Sequence, residues 1–197
     1  VHHPQWQKAK EIVQSGVLGD LIQVDAVFSY NNQADLENIR NNSNMGGGGL
    51  PDIGVYTLGS VRFVTDQEPA AIRHVDIKYE NGVDVWALAA FDFPKFKFTS
   101  ITSMRMAPRQ EVTFQGTDGF IKLTAPFNPL VYDKAEIIKR MNDGAEEVFS
   151  YPGVSQYVNQ IEAFSDAVLN EKTYPCSLEF SQGTQAMIDS IFDFSST

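Results

Sequence analysis

Residues 71–124 read AIRHVDIKYENGVDVWALAAFDFPKFKFTSITSMRMAPRQEVTFQGTDGFIKLT. Within that stretch, runs rich in β-branched and aromatic residues at 71–80, 84–93, 96–104, 110–115 and 120–124 alternate with turn residues, the pattern of successive strands. Asn81-Gly82 and Asp118-Gly119 are hairpin dipeptides, because Asn, Asp and Gly tolerate the positive φ that a two-residue turn demands. Asp143-Gly144 repeats the signal between two further runs at 135–140 and 145–151. Strands joined by such short turns pair antiparallel, so the spacing predicts a mostly antiparallel sheet.

Working outward, Ile22, Val24, Ala26, Phe28 and Tyr30 alternate with Gln23, Asp25 and Ser29, the period-2 pattern of one more half-buried strand. Helical spacing runs over 4–15, with Pro4 in the first turn, Trp6, Ala9, Ile12 and Val13 on one face and Gly16 as a cap. A second helix is predicted over 52–64. Near the end, Val158, Ile161, Phe164, Ala167 and Val168 form an apolar stripe and 178–192 form another, two helices that close the fold. Residues 31–44 are polar and rich in Asn, a long loop of the kind that tends to be functional. No linker, repeat or compositional shift divides residues 1–197. The expected fold is a single α+β domain, an open-faced, mostly antiparallel β-sheet with helices packed on one face.

Lys and Arg number 15 against 25 Asp and Glu, a net charge of −10. That surface repels phosphate backbones and anionic headgroups, so neither nucleic acid nor membrane is an expected partner. No stretch approaches the run of about 18 apolar residues that a spanning helix needs. Cys176 is the single cysteine, which fits a reducing, cytoplasmic address. The chain begins at Val1 without an initiator Met, and the expectation is a piece of a longer protein.

The chemistry is expected at Gly46-Gly47-Gly48-Gly49-Leu50-Pro51-Asp52-Ile53-Gly54-Val55-Tyr56. Four residues apart on a helix, Asp52 and Tyr56 fall on one face, where they can act on one substrate. Ile53, Val55, Leu58, Val61, Phe63 and Val64 surround most of that helix, so it is predicted to be buried. The glycines remove side chains from its approach and let a ligand or another backbone come close. Asp52 equally reads as a helix cap, Tyr56 as a core tyrosine and the glycines as a flexible turn. No dinucleotide fingerprint and no phosphate loop can be read here.

The same segment resembles the G-G-G-x-x-x-D-x-G-x-[HY] signature of the Gfo/Idh/MocA oxidoreductases, of the glucose–fructose oxidoreductase and dihydrodiol dehydrogenase type. Three further segments resemble that family in order: His2-His3-Pro4-Gln5 with Gly16-Val17-Leu18-Gly19-Asp20, then Gly116 to Leu123 with Pro126-Phe127, then Tyr157 to Ala167 with Tyr174-Pro175. The resemblance spans the chain and implies a C-terminal substrate-binding and oligomerisation domain. The N-terminal Rossmann domain for NAD or NADP and the family's catalytic Lys in a Glu-Lys-Pro context are absent from these residues. This chain alone is therefore not expected to turn over substrate.

The resemblance implies hydride transfer to or from a sugar, polyol or related hydroxyl compound, with a small-molecule substrate as partner. Asp52 would orient the substrate hydroxyl and Tyr56 would hold the acid/base position. A phenol, with a pKa near about 10, serves as a base only beside a cation. Tyr in place of His points toward the sugar, polyol and dihydrodiol branches. Arg40 resembles the Arg that precedes the glycine run and is a candidate for substrate oxygens, or a surface Arg. His3, beside the implied domain junction, is a candidate at the pocket edge.

No metal is expected, since His2 and His3 are joined by no carboxylate cluster. His74 reads as structural or exposed, Arg105 and Arg109 flank a turn with nothing to decide their role, and Cys176 lacks a positioned base. A rival reading is a homologue that binds a ligand or partner without catalysis. Trp86, Phe91, Phe93, Phe96, Phe98 and Phe114 are a heavy aromatic load for a solvated sheet, which predicts a homo-oligomer, a dimer through the open face.

Overall fold

The computed structural model describes residues 1–195. Helix α1 (Pro4–Gln14) leads into β1 (Leu21–Asn31), and two short 3-10 turns at Ile39–Asn41 and Ser43–Met45 break the long polar loop that follows. A π-helical turn, Leu50–Gly54, runs straight into α2 (Val55–Thr65). Then come β2 (Ala71–Glu80), β3 (Val83–Asp92), β4 (Lys97–Ser103), β5 (Arg105–Gly116), β6 (Gly119–Leu123), β7 (Glu136–Met141) and β8 (Glu146–Ser150), followed by α3 (Gln156–Asn170) and α4 (Leu178–Ser195).

The eight strands form one sheet in the order β2-β3-β4-β1-β5-β6-β7-β8. Every neighbouring pair is antiparallel except β1 and β4. Thus β4 and β5, separated only by Met104, do not pair with each other. β1 lies between them, with Val24 in register with Phe98 on one side and Phe114 on the other. At the corner Met104 is fully buried and donates its N–H to the Val85 carbonyl at 2.9 Å. Asn81 and Gly82, both at positive φ, turn β2 into β3 as the dipeptide predicts.

Three helices cover one face. Trp6, Ala9 and Ile12 of α1, Leu58, Val61 and Val64 of α2, and Met187, Ile188 and Ile191 of α4 join the inward residues of the strands in one core. The aromatic load belongs to this core and not to the open face. Phe91, Phe93, Phe96, Phe98 and Phe114 are 0–5 % exposed beneath the helices, and of the six only Trp86 sits on the opposite face. Strand parity decides it: Trp86 and Phe91 are an odd number of residues apart, so they point to opposite sides.

The stripe on α3 is a second correction. Of the predicted stripe, Val158, Ile161, Phe164 and Val168 are 52–67 % exposed and only Ala167 is partly covered, and the side turned to the protein is formed by Gln156, Asn159, Ala163 and Asp166. Among the described residues no helix is long and apolar enough to cross a membrane.

Candidate active site

The segment from Gly46 to Gly49 is held by a residue far away in sequence. Asp84, on β3 and 2 % exposed, accepts the Leu50 N–H at 2.7 Å and a second backbone N–H from Gly49. Gly48 has φ +133°, and a Cβ there would lie 2.2 Å from Asp84 Oδ1. The close approach that the glycines permit is thus taken up by a buried carboxylate and by neighbouring backbone. Gly47 packs the same way against the Arg40 carbonyl, which a Cβ would meet at 2.5 Å. Burial pushes the Asp84 pKa up, and its backbone hydrogen bonds oppose that shift.

So anchored, the chain enters α2 through the π-helical turn that carries Asp52. Such turns widen the helix and re-aim its side chains. Asp52 Oδ2 accepts from the Tyr30 hydroxyl at 2.7 Å, and Oδ1 pairs with Arg40 Nε at 2.7 Å. Arg40 rides on the first 3-10 turn, which Asn38 caps by accepting the Arg40 N–H. Arg105 pins the same loop by donating to Asn32 and Asn41. Burial, then the bonded Asp52 carboxylate, raise the Tyr30 pKa, so Tyr30 stays a hydrogen-bond donor.

Tyr56 follows in the first turn of α2 and is 41 % exposed. Its ring packs at 5.6 Å from Phe28 and 5.7 Å from Phe127, which fixes the plane in which the hydroxyl is presented. Its pKa is raised, first by burial, then by the Tyr157 and Asp52 charges, while Arg40 opposes them. The phenol is therefore protonated at neutral pH and suited to donate. It lines a cleft of about 640 Å³ with Trp6, Ser60, Phe127, Gln156 and Tyr157 among its walls.

Asp52, Arg40 and Tyr56 are thus brought together. His3 is placed elsewhere: it is 1 % exposed, its Nδ1 caps α1 by accepting the Gln5 N–H at 3.3 Å, and its ring meets Tyr151 edge-on. The pocket-edge position falls to its neighbour His2, whose Nε2 lies 3.1 Å from the Tyr174 hydroxyl. Arg109 pairs with Glu111 on the open face, His74 is exposed on β2, and Cys176 lines the cleft 3.9 Å from the Ser181 hydroxyl. Sequence reasoning missed the roles of Tyr30 and Asp84. Tyr30 continued an apolar alternation, and Asp84 looked like one polar residue in a strand. Among the described residues no three metal-ligating side chains converge.

Comparison with known proteins agrees with this architecture. Residues 6–122 match the family model of the GFO/IDH/MocA C-terminal domain. An uncharacterized oxidoreductase of Rhizobium meliloti is 33 % identical over 195 residues, 96 % of this chain and 58 % of that protein. The D-xylose 1-dehydrogenase (NADP(+)) 2 of Haloferax volcanii is 24 % identical over 99 % of this chain and 60 % of its own length. Among solved structures, a 3-ketoreductase from Actinomadura kijaniata in complex with NADP and TDP-benzene superposes with a TM-score of 0.84 at 24 % identity, covering 98 % of this chain and 59 % of that one. The chain belongs to the Gfo/Idh/MocA oxidoreductase family. It spans about three fifths of the length of these relatives.

Proposed function

We propose that this chain is the substrate-binding domain of an NADP-dependent oxidoreductase that interconverts a carbinol and a carbonyl on a sugar, polyol or related hydroxyl compound. The observation that carries the reading is Tyr56 at the wall of an open cleft, close enough to the Asp52–Arg40 pair to feel both charges. The relatives named above, an NADP xylose dehydrogenase and a ketoreductase solved with NADP, support the cofactor and the substrate class.

Among the described residues that line the cleft beside Tyr56, Tyr157 is an exposed aromatic ring above the buried rings of Trp6 and Phe127, and no Lys or Arg is there to hold a pyrophosphate. These residues fit the nicotinamide end of the cofactor, with the phosphate contacts falling to a preceding Rossmann domain. When bound, the nicotinamide supplies or accepts the hydride. Arg40 and Asp52 bind and orient substrate oxygens: Asp52 has spare lone pairs beyond its two partners, and Arg40, which pairs through Nε, is 42 % exposed and carries further N–H donors. In the reductive direction Tyr56 gives its proton to the carbonyl oxygen. In the oxidative direction the same oxygen must take up the substrate hydroxyl proton, which requires a cation stronger in effect than Arg40.

Oxidation of NADPH by the longer gene product that contains this chain, followed by absorbance against aldoses, ketosugars and dihydrodiols, tests the reading. Tyr56→Phe is expected to lower kcat by about 10²–10⁴-fold with little change in KM. Absence of both cofactor binding and turnover in the longer product overturns it in favour of the non-catalytic binder.

The open face of the sheet is read as a dimer surface. Val27, Ile101 and Leu88 lie in register across β1, β4 and β3 on the side the helices leave uncovered, with Trp86 at one end. Light scattering at micromolar concentration that shows only monomer would overturn this. The lone Cys176 suits a cytoplasmic protein.

A further inference from the structure

We propose that Arg105 is a positioning residue for the substrate site, acting through Asn41 to hold Arg40 against Asp52. The role rests on the reading above in one respect, that Arg40 binds substrate oxygens.

The loop that carries Arg40 has no core of its own. None of residues 31–45 is buried, and Leu36, Ile39 and Met45 are 52–80 % exposed. Apolar burial, the main force that fixes a folded chain, is therefore not available to it. Hydrogen bonds localise the loop instead. On one side the glycine run supplies them: the Gly48 N–H donates to the Arg40 carbonyl and the Gly47 N–H to the Asn42 carbonyl, each at 3.0 Å. On the sheet side stand a backbone bond from the Asn32 N–H to the Met104 carbonyl at 3.3 Å and the guanidinium of Arg105.

Arg105 opens β5 with its side chain 16 % exposed. Nη1 donates to Asn32 Oδ1 and to the Met104 carbonyl, both at 3.0 Å, Nη2 donates to Asn41 Oδ1 at 3.1 Å, and Nε pairs with Glu80 at 2.8 Å. One planar group thus ties both limbs of the loop to the end of β2. The Asn41 amide is committed at both ends, since its Nδ2 donates to the Asn32 carbonyl at 3.2 Å and to the Asp35 carbonyl at 2.9 Å. Asn41 follows Arg40 in the same 3-10 turn, so a displacement of one moves the other. The Arg40–Asp52 pair does not fix the loop by itself, because Arg40 is 42 % exposed and a solvated ion pair contributes little. Lys cannot replace the clamp: its three donors sit on one atom, whereas the Arg105 fork spans four acceptors.

Steady-state kinetics of the longer gene product, with NADPH and the sugar it reduces fastest, tests the role in Arg105→Lys and Asn41→Ala. The first keeps a cation beside Glu80 and the second leaves β5 untouched. In both, KM for the sugar is expected to rise about tenfold, with kcat within about threefold and the NADPH Kd unchanged. On an Arg40→Ala background, Arg105→Lys is expected to change KM by less than about twofold, because the group it positions is gone. A further rise of about tenfold on that background overturns the proposal, as does an unchanged KM in both single variants or a fall in kcat alone. Hydrogen exchange of the same proteins gives a readout independent of turnover. Amides of residues 33–45 are expected to exchange at least about tenfold faster in Arg105→Lys while residues 97–103 keep their rates, and equal rates over 33–45 overturn the clamp. A wild-type product that neither binds NADPH nor reduces a sugar rejects the oxidoreductase reading, and the exchange rates still uphold or overturn the clamp.

Discussion

The Tyr30 hydroxyl reaches Asp52 Oδ2 at 2.7 Å from the far end of β1, so the carboxylate that carries the candidate chemistry is oriented by the sheet as well as by its own helix. Arg40 holds the other oxygen, which leaves the carboxylate little freedom to rotate.

Tyr30→Phe removes one of those two partners and adds no bulk. Loss of a hydrogen bond to a charged group costs about 1–3 kcal/mol, so urea denaturation should show a loss in that range. In the longer gene product KM should rise more than kcat falls, since orientation of the substrate hydroxyl is what suffers.

Replacing Arg40 by Lys keeps the charge and discards the fork. A point charge cannot both pair with Asp52 through Nε and present two further donors to a sugar. The expected result is a rise in KM on the order of tenfold, with kcat less affected. Equal loss on Lys and on Ala substitution supports the assignment, and an unchanged KM in both returns Arg40 to the surface.

Asp84 and Gly48 should behave as one unit. Asp84→Ala strands the Leu50 and Gly49 N–H groups in the interior, at a cost of about 2–3 kcal/mol. Gly48→Ala forces a Cβ onto the same carboxylate at a strained φ and should cost more than about 1 kcal/mol. The double variant Gly48→Ala/Asp84→Ala should fall short of the sum in chemical denaturation, because the clash disappears with its partner.

His3 makes stability depend on pH. Burial, and secondarily the Val1 amino group, lower its pKa to about 4 from an ordinary 6.5. The unfolded chain therefore binds more protons than the folded one between those values, and stability rises with pH through that window. The His3 contribution is complete above pH 6.5 and is lost as pH falls toward 4. His3→Asn retains a capping side chain without a titrating group, and a series of urea midpoints should show that part of the pH dependence removed.

Much of the fold was legible because its signals are local. The alternation in 71–124, the Asn81-Gly82 turn and the spacing of Trp6, Ala9 and Ile12 arise within a few residues of chain, and these elements formed close to where their patterns stood, except that β5 starts at Arg105, so Arg105 and Arg109 lie on one strand and no turn separates them. Asp52 and Tyr56 were legible as a pair for the same reason. The insertion of β1 between β4 and β5, by contrast, has no local signal, since either strand offers the other an acceptable edge.

What the sequence by itself determined, then, was the set of elements, the α+β class and the Gly-rich segment that holds the chemistry. The tertiary structure alone decided which side each face would turn to: Phe91 and Phe98 inward while Trp86 stays out, and the apolar row of α3 toward solvent. It also decided that Asp84 and Tyr30, 34 and 22 residues from the groups they hold, would anchor the site, and that His3 would cap a helix. The reason is physical: periodicity records that a residue has a buried side, but the identity of what covers it depends on contacts between distant segments, whose energies no local pattern encodes.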